Sequence, residues 1–273
     1  MLWLLWLACA LGAIVCVYLF LIKPGPKRLV PGEGALPIAF AHRGLHGKGI
    51  PENTAAAFVL AARKGYGIEL DVRESGDGVL MVLHDATLER MCGVNKSLSD
   101  LTAGEIQRYS IRDSEEKIPT LREVVNAVLP YCPPLIVEMK SEPGSLKTLP
   151  EKLFREMSEY PGFWCVESFD PRLLRWYRKN AKHVVRGQLA YDFRRAGEEH
   201  HEIFYSLGAH LLMNCMSRPN FVAYRHDTDG NISFRIMSKL FHPTLIAWTV
   251  QCDQDFQRLK NRYDFQIFEG FEP

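Results

Sequence analysis

Residues 40–85 read FAHRGLHGKGIPENTAAAFVLAARKGYGIELDVRESGDGVLMVLHD and decide the fold of the chain. An apolar strand is predicted over residues 37–41 and a second over residues 67–72. Between them, residues 54–64 carry an apolar stripe at helical spacing, with Asn53 as the predicted N-cap and Gly65 after the last turn. Strand, helix and strand in this order are typical of a parallel α/β sheet.

A β-hairpin is predicted after the second strand, because Asp77-Gly78 precedes another alternating segment, residues 79–83. With a two-residue turn at that dipeptide, the numbers of paired residues sum to 155, which places Asp71 opposite His84. Glu69 lies two residues before Asp71 and therefore on the same face of the strand. The hairpin is expected to bring two carboxylates and one histidine together.

Strand and helix patterns alternate through the rest of the chain. A long polar segment, residues 86–117, follows the hairpin and is interpreted as an insertion over one face. Capping boxes at Thr102 and Thr120 predict two helix starts. Residues 210–213 are predicted to form a strand, and the segment after them, through Phe241, a helix. Eight alternating strands predict a TIM (β/α)8 barrel, a fold of about 250 residues. These strands are predicted to begin near Pro37, Gly67, Leu135, Phe163, Val184, His210, Leu245 and Phe265.

The N-terminal segment, residues 1–22, has no charged side chain and the length of a transmembrane helix. A cleaved signal peptide is the alternative, but the segment lacks the basic start and the small-residue cleavage site of such peptides. Three cations follow it within residues 23–28, so the positive-inside rule predicts a single-pass membrane protein with its large domain in the cytoplasm. Residues 23–36 hold three prolines and three glycines and are interpreted as a linker to a barrel domain over residues 37–273.

The net charge and the cysteine content of the chain limit which partners and which redox compartment are expected. A formal net charge of +1 gives no basic surface of the kind that binds nucleic acid, so no nucleic-acid partner is expected. The seven cysteines are odd in number and lack CxxC spacing. They are interpreted as reduced thiols rather than as a disulfide framework or a zinc site.

Acidic side chains gather at the predicted carboxyl ends of the strands, where a TIM barrel holds its active site. Glu69, Asp71 and Glu138 lie on neighbouring strand ends and would repel one another unless a cation lay among them. Oxygen ligands suit Mg²⁺ or Ca²⁺ better than zinc. The alternative is a solvated rim in which these acids form salt bridges.

Basic and aromatic side chains accompany these acids. Arg43 and Lys140 add positive charge to the same rim, which suits a phosphate group. His42 and His84 can act as general base and general acid, or simply hydrogen-bond to the carboxylates. Trp248 either packs in the core or lines a substrate pocket. The other histidines have no acid partner in view and are interpreted as structural or exposed: His46, His183, His200, His201, His210, His226 and His242.

Nine short segments resemble, in order, the glycerophosphodiester phosphodiesterase family. Each alone is a weak signal, but the ordered set covers nearly all of residues 37–273. Two features depart from the family: residues 264–270 read DFQIFEG where the family often has a segment closer to DGIITD, and an apolar helix precedes the barrel. The segments are AHRG (41–44), PENT (51–54), ELDV (69–72), LHD (83–85), IPTL (118–121), VEMK (137–140), SF (168–169), AWTV (247–250) and YDFQIFEG (263–270).

The resemblance implies a TIM barrel that hydrolyses glycerophosphodiesters to glycerol 3-phosphate and an alcohol with a divalent metal. It also implies attack by the neighbouring glycerol hydroxyl, through a cyclic phosphate. The apolar helix leaves a membrane-anchored lysophospholipase D as an alternative, and a barrel that binds lipid without catalysis as another. By the resemblance, the acid/base pair is His42 and His84, the metal ligands are Glu69, Asp71 and Glu138, the phosphate contacts are Arg43 and Lys140, and Glu52 is an acid next to the metal.

Overall fold

A closed barrel of eight parallel strands forms the centre of the molecule. The computed structural model describes residues 2–28, 37–47, 49–142, 144–198 and 203–273. The first strand pairs with both the second and the last, which closes the barrel and confirms the predicted fold. The strands are β1 (Ala39–Ala41), β2 (Gly67–Glu74), β3 (Leu80–Val82), β4 (Leu135–Met139), β5 (Trp164–Ser168), β6 (Val185–Ala190), β7 (Phe221–Arg225), β8 (Thr244–Val250) and β9 (Phe265–Phe268); β3 belongs to the hairpin.

Helices surround the barrel and bury a second layer of core between themselves and the strands. Apolar side chains such as Phe40, Phe221 and Phe265 fill the barrel interior. The helices are α1 (Leu2–Ile22), α2 (Ala55–Arg63), α3 (Glu89–Cys92), α4 (Ala103–Ile106), α5 (Leu121–Val128), α6 (Ser145–Met157), α7 (Pro171–Asn180), α8 (Ile203–Ala209), α9 (Asn214–Ser217), α10 (Ile232–Phe241) and α11 (Asp253–Leu259).

One strand was placed wrongly by the sequence pattern. Residues 210–213 form a turn between α8 and α9, and Leu211 there has a φ of 56°, which a strand does not allow. The barrel strand is β7, inside the segment that was predicted to be helical. Both segments are short apolar runs, and periodicity alone does not separate a strand from a buried turn at that length.

The hairpin is confirmed, but its predicted register is wrong by one residue. Val72 pairs with Val82, so paired numbers sum to 154, and Asp71 lies opposite Leu83 rather than His84. The loop has three residues instead of two, because Gly78 adopts a left-handed φ of 78°. A type I turn followed by a left-handed glycine is the usual three-residue hairpin loop.

Most of the predicted helix starts agree with the structure. Both predicted capping boxes, at Thr102 and Thr120, are present. The N-cap of α2, however, is Thr54, whose hydroxyl accepts a hydrogen bond from the backbone N–H of Ala57. The predicted cap, Asn53, instead has a φ of 55° and turns its side chain toward the barrel. The insertion after β3 carries its own small apolar cluster.

The N-terminal helix α1 is long and apolar enough to cross a membrane, a property that signal sequences share. Residues 2–17 are exposed, whereas the last turn packs on the barrel near α9 and α10. Residues 29–36 of the predicted linker lie outside the described part of the chain, so the proposed division into anchor, linker and barrel stays a prediction.

Candidate active site

Three carboxylates meet at the carboxyl ends of β2 and β4. Asp71 and Glu138 are direct neighbours in the parallel register of these strands, and Glu69 lies two residues before Asp71 on the same face of β2. All three side chains are buried, and one oxygen from each lies within 4.8 Å of the others. The structure therefore brings together the three predicted metal ligands, which are 69 residues apart at most in the sequence.

Two cations border this acidic cluster. Nζ of Lys140 lies 2.9 Å from Oδ1 of Asp71 and 2.7 Å from Oε1 of Glu138. Nε of Arg43 lies 3.2 Å from Oδ2 of Asp71, and the backbone N–H of Arg43 donates to Glu69. These ion pairs outweigh the effect of burial on the pKa of Asp71, which is lowered. Both predicted phosphate-binding cations thus lie at the cluster, each paired with Asp71.

Burial and like charge act on the remaining acids. Burial, together with the neighbouring Asp71 and Glu138, raises the pKa of Glu69 well above its ordinary value. Burial and Asp71 raise the pKa of Glu138 to about 7, although Lys140 opposes the rise. The three ligand atoms are all carboxylate oxygens, the donor type of Mg²⁺ and Ca²⁺. A divalent cation would relieve their mutual repulsion, so these residues fit such an ion.

A tight loop after β1 positions His42 and Arg43. Arg43 has a left-handed φ of 54°, and Gly44 follows with a φ of 80°. A Cβ on Gly44 would lie 2.8 Å from the Cβ of Ala57 in α2, so only glycine lets the helix pack against this loop. The loop turns the Arg43 N–H toward Glu69 and leaves His42 at the rim of the barrel.

His42 is held by an acid that the sequence did not identify. Its Nδ1 lies 3.0 Å from Oε2 of Glu269, and its Nε2 lies 3.9 Å from Oε2 of Glu69. His46 also contacts Glu269, at 3.3 Å, so the prediction that His46 has no acid partner is wrong. The contacts with both histidines lower the pKa of Glu269. An ionised carboxylate only accepts, so Nδ1 of His42 carries the proton and Nε2 faces the acidic cluster.

His84 is held in the same way, and its charge also interacts with Asp71. Its Nδ1 lies 2.7 Å from Oδ1 of Asp85, the next residue. Arg90 in turn binds Asp85 and Glu52, and both its hydrogen bonds lower the pKa values of these acids. Burial and the nearby Lys140 lower the pKa of His84. The two candidate catalytic imidazoles therefore both have a carboxylate at Nδ1.

Glu52 was expected next to the metal by resemblance. In the structure its carboxylate is 2.8 Å from Arg43 and also binds Arg90. It thus links the arginine at the acidic cluster to the arginine that holds Asp85. Glu52 is not one of the three clustered oxygen donors among the described residues.

Two more buried side chains belong to the site and were missed. The amide of Asn53 donates to Oδ2 of Asp71 at 2.8 Å. Glu167, on β5, is next to Glu138 in the register, and burial and Glu138 raise its pKa well above the ordinary value. Asn53 lies in the PENT segment, whereas Glu167 has no such signal beyond its place just before a strand end.

Trp248 lines a cavity and also packs against the apolar interior of the barrel. The cavity has a volume of about 530 Å³ and extends from His84 to helix α8. Phe169 and Tyr191 meet the indole edge to face, with ring centroids 5.6 and 6.0 Å away. The walls beside it are mainly aromatic and aliphatic, and the substrate-pocket interpretation of Trp248 stays a prediction.

Solved structures show the same fold. A phosphodiesterase of Oleispira antarctica, determined with the product sn-glycerol-3-phosphate, superposes with a TM-score of 0.71 at 21% identity, covering 86% of this chain and 94% of that one. A glycerophosphodiester phosphodiesterase of Thermotoga maritima gives a TM-score of 0.65 at 24% identity, covering 85% and 93%. At these identities the likeness concerns the barrel fold.

Proteins of similar sequence identify the family to which the chain belongs. A glycerophosphodiester phosphodiesterase of Caldanaerobacter subterraneus subsp. tengcongensis is 35% identical over 161 residues, 56% of this chain and 66% of the relative. Glycerophosphodiester phosphodiesterase 1 of Bos taurus is 32% identical over 181 residues, 61% of this chain and 54% of the relative. The matches thus span between about half and two thirds of these relatives. Residues 42–261 match the sequence profile of the glycerophosphoryl diester phosphodiesterase family, and the chain belongs to that family.

Proposed function

We propose that the protein hydrolyses glycerophosphodiesters to glycerol 3-phosphate and an alcohol. The observation that carries this proposal is the arrangement of two imidazoles around one acidic cluster. His42 and His84 each have Nδ1 on a carboxylate, so each Nε2 is free to exchange a proton with substrate. The family membership and the activity named for the relatives support the same reaction.

A divalent cation, Mg²⁺ or Ca²⁺, is proposed as the cofactor, held by Glu69, Asp71 and Glu138. When bound, it supplies positive charge that neutralises the phosphate as negative charge develops in the transition state. The support is the buried, all-oxygen donor set, in which Glu69 and Glu138 have raised pKa values. Chelation should therefore abolish activity, and readdition of the metal alone should restore it.

Arg43 and Lys140 are proposed to contact the phosphate. Both cations lie beside Asp71 at the carboxyl end of the barrel, where a bound phosphate would meet two fixed positive charges. One histidine would take the proton of the neighbouring glycerol hydroxyl, which attacks phosphorus. The other would give a proton to the departing alkoxide, and water would then open the cyclic phosphate.

Release of choline from glycerophosphocholine tests the proposal directly. His42→Ala and His84→Ala should each lower kcat by about 10² to 10⁴. His183→Ala is a matched control, because His183 meets the Phe154 ring edge to face, away from the acidic cluster. Activity that persists after both chelation and the His42 substitution would overturn the two-histidine, metal-dependent mechanism.

Lysophospholipids are a second candidate class of substrate, favoured by the cavity beside His84. Its walls include Phe169, Phe204 and Trp248, which suit an acyl chain better than a soluble headgroup. A lysophospholipase D would release choline faster from lysophosphatidylcholine than from glycerophosphocholine. Phe204→Ser should then raise KM for the acylated substrate only; equal effects on both substrates would argue against this class.

We also propose that α1 is a retained, single-pass anchor with the barrel in the cytoplasm. The last turn of α1 is bonded to the barrel: Asn214 donates to the carbonyl of Ile22, and Arg218 donates to that of Phe20. Cleavage of α1 would remove these partners. N-terminal sequencing of the mature protein tests retention, and protease protection in inverted vesicles tests orientation.

A further inference from the structure

The direction in which α1 crosses the barrel can be followed from its contacts. The hydroxyl of Tyr18 donates to Oγ of Ser233 at 2.8 Å. Ser233 lies in the first turn of α10, just after the carboxyl end of β7, so Tyr18 is at the level of the catalytic rim. Further along the chain, the N–H of Gly25 donates to the carbonyl of Pro219, just before the start of β7. The chain therefore passes from the catalytic end of the barrel to the opposite end.

Two more contacts agree with this direction. Lys27 pairs with Asp264 at 3.3 Å, and Asp264 immediately precedes β9. Arg28 donates to the carbonyl of Lys182, which precedes β6. Both partners mark the amino ends of strands. Residues 18–28 thus run down the side of the barrel, away from its active site.

The exposed part of α1 must then project on the catalytic side. Residues 2–17 are all exposed, and sixteen helical residues extend about 24 Å at 1.5 Å per residue. That length covers most of a hydrocarbon core of about 30 Å. If α1 spans a membrane, the bilayer lies against the carboxyl ends of the barrel strands, and Tyr18 is placed where interfacial aromatic residues usually lie.

Exposed apolar side chains occur on that same end. Ile203 is 75% exposed at the start of α8, and Ile232 is 66% exposed at the start of α10. Phe204 and Tyr205 are also partly exposed and line the cavity that holds Trp248. Helix α8 is only seven residues long, and its end lies beside the start of α10, because His210, directly after α8, contacts Ser233 in α10 at 3.2 Å. We call Ile203, Phe204, Tyr205 and Ile232 the rim patch.

We propose that the rim patch is a bilayer-docking surface that holds the mouth of the active site against the lipid. An apolar patch beside a projecting apolar helix would otherwise face water at the membrane surface. The cavity would then open toward the bilayer, so substrate enters from the lipid rather than from solution. The proposal rests on the proposed anchoring by α1 and on no feature of the reaction.

Photo-cross-linking of the full chain in phosphatidylcholine vesicles tests this surface. The photoreactive residue p-benzoylphenylalanine would replace Ile203 or, as the matched control, Leu129. Leu129 is 44% exposed but precedes β4, on the opposite end of the barrel. Lipid adducts at position 203 and none at position 129 are expected. Adducts at 129 only, at both positions equally, or at neither would overturn the proposal.

A kinetic comparison separates this surface from the reaction. Ile203→Ser combined with Ile232→Ser should lower hydrolysis of lysophosphatidylcholine in vesicles by about 5-fold and leave hydrolysis of soluble glycerophosphocholine unchanged. Neither side chain lines the cavity. Unchanged rates on the vesicle substrate would count against the docking surface. If the wild type hydrolyses neither substrate, the proposed function fails, and the cross-linking result still decides the docking surface.

Discussion

Replacing Glu138 with glutamine should make the metal-free protein more stable at pH 8. The pKa of Glu138 is raised from 4.5 to about 7 by burial and by Asp71. The folded state then binds more protons than the unfolded state between these values, so stability falls as pH rises from about 4.5 to 7. At 1.36 kcal/mol for each pH unit, the buried charge costs about 3 kcal/mol above pH 7. Glutamine removes that cost, and Lys140 keeps its ion pair with Asp71.

Thermal unfolding in EDTA measures this effect. For a domain of this size, about 3 kcal/mol corresponds to a rise in Tm of about 6 to 12 °C at pH 8. At pH 4 the glutamate is protonated in both states, so the two proteins should melt together. Magnesium should raise the Tm of the wild type at pH 8 and that of Glu138→Gln much less. A variant that melts below the wild type in EDTA at pH 8 would refute the reasoning.

Three further predictions concern the histidine partners and the hairpin. Glu269→Gln should lower kcat by about 10² to 10⁴ with little change in KM, because a neutral amide can donate to Nδ1 of His42 and so no longer fixes the proton on that nitrogen; steady-state kinetics measure this. Asp85→Asn should act in the same way through His84. It should also lower the pKa of His84, because the hydrogen bond to Asp85 raises that pKa, and a pH–rate profile measures the shift. Gly78→Ala should cost about 1 kcal/mol or more, because Gly78 has a φ of 78°, and should lower Tm.

Matched controls exist for these changes. Glu272→Gln removes an exposed acid three residues after Glu269 that pairs with Lys64, and should leave kcat unchanged. Gly104→Ala adds a Cβ in open space within helix α4 and should not destabilise. Loss of activity in Glu272→Gln, or equal destabilisation by both glycine substitutions, would contradict the specific roles given to Glu269 and Gly78.

The fold could be predicted because strand alternation is repeated eight times, so one misplaced strand did not change the count. The register of the hairpin could not be predicted. Asp77-Gly78 suits a two-residue turn, yet Gly78 can equally be the left-handed last residue of a three-residue loop, and a change of one residue moves every pairing. The predicted clustering of the acids was still correct, because the parallel pairing of β2 with β4, and not the hairpin, positions Glu69 and Asp71.

The three clustered acids could be predicted because they lie at the ends of consecutive barrel strands. The acids that hold the histidines were harder to find. Asp85 follows His84 in the sequence, but adjacency does not by itself give a hydrogen bond. Glu269 lies in the segment that departs from the family, and only closure of the barrel by β9 brings it to His42. The direction in which α1 passes the barrel could not be predicted either, because the hydropathy of a segment indicates how long an apolar helix is but not how it packs.

The acids of the site divide into two groups by the direction of their pKa values. Glu69 and Glu138, buried among like charges, have raised pKa values, so the proposed cation would displace their protons as pH rises. Glu269 and Asp85, bonded to imidazoles or to arginine, have lowered pKa values and stay ionised. Acidification therefore reaches Glu69 and Glu138, two of the three proposed metal ligands, first, while the histidines are still oriented. Activity lost between pH 7 and pH 5 should consequently be recovered in part by more metal, because metal and protons compete for the same oxygens.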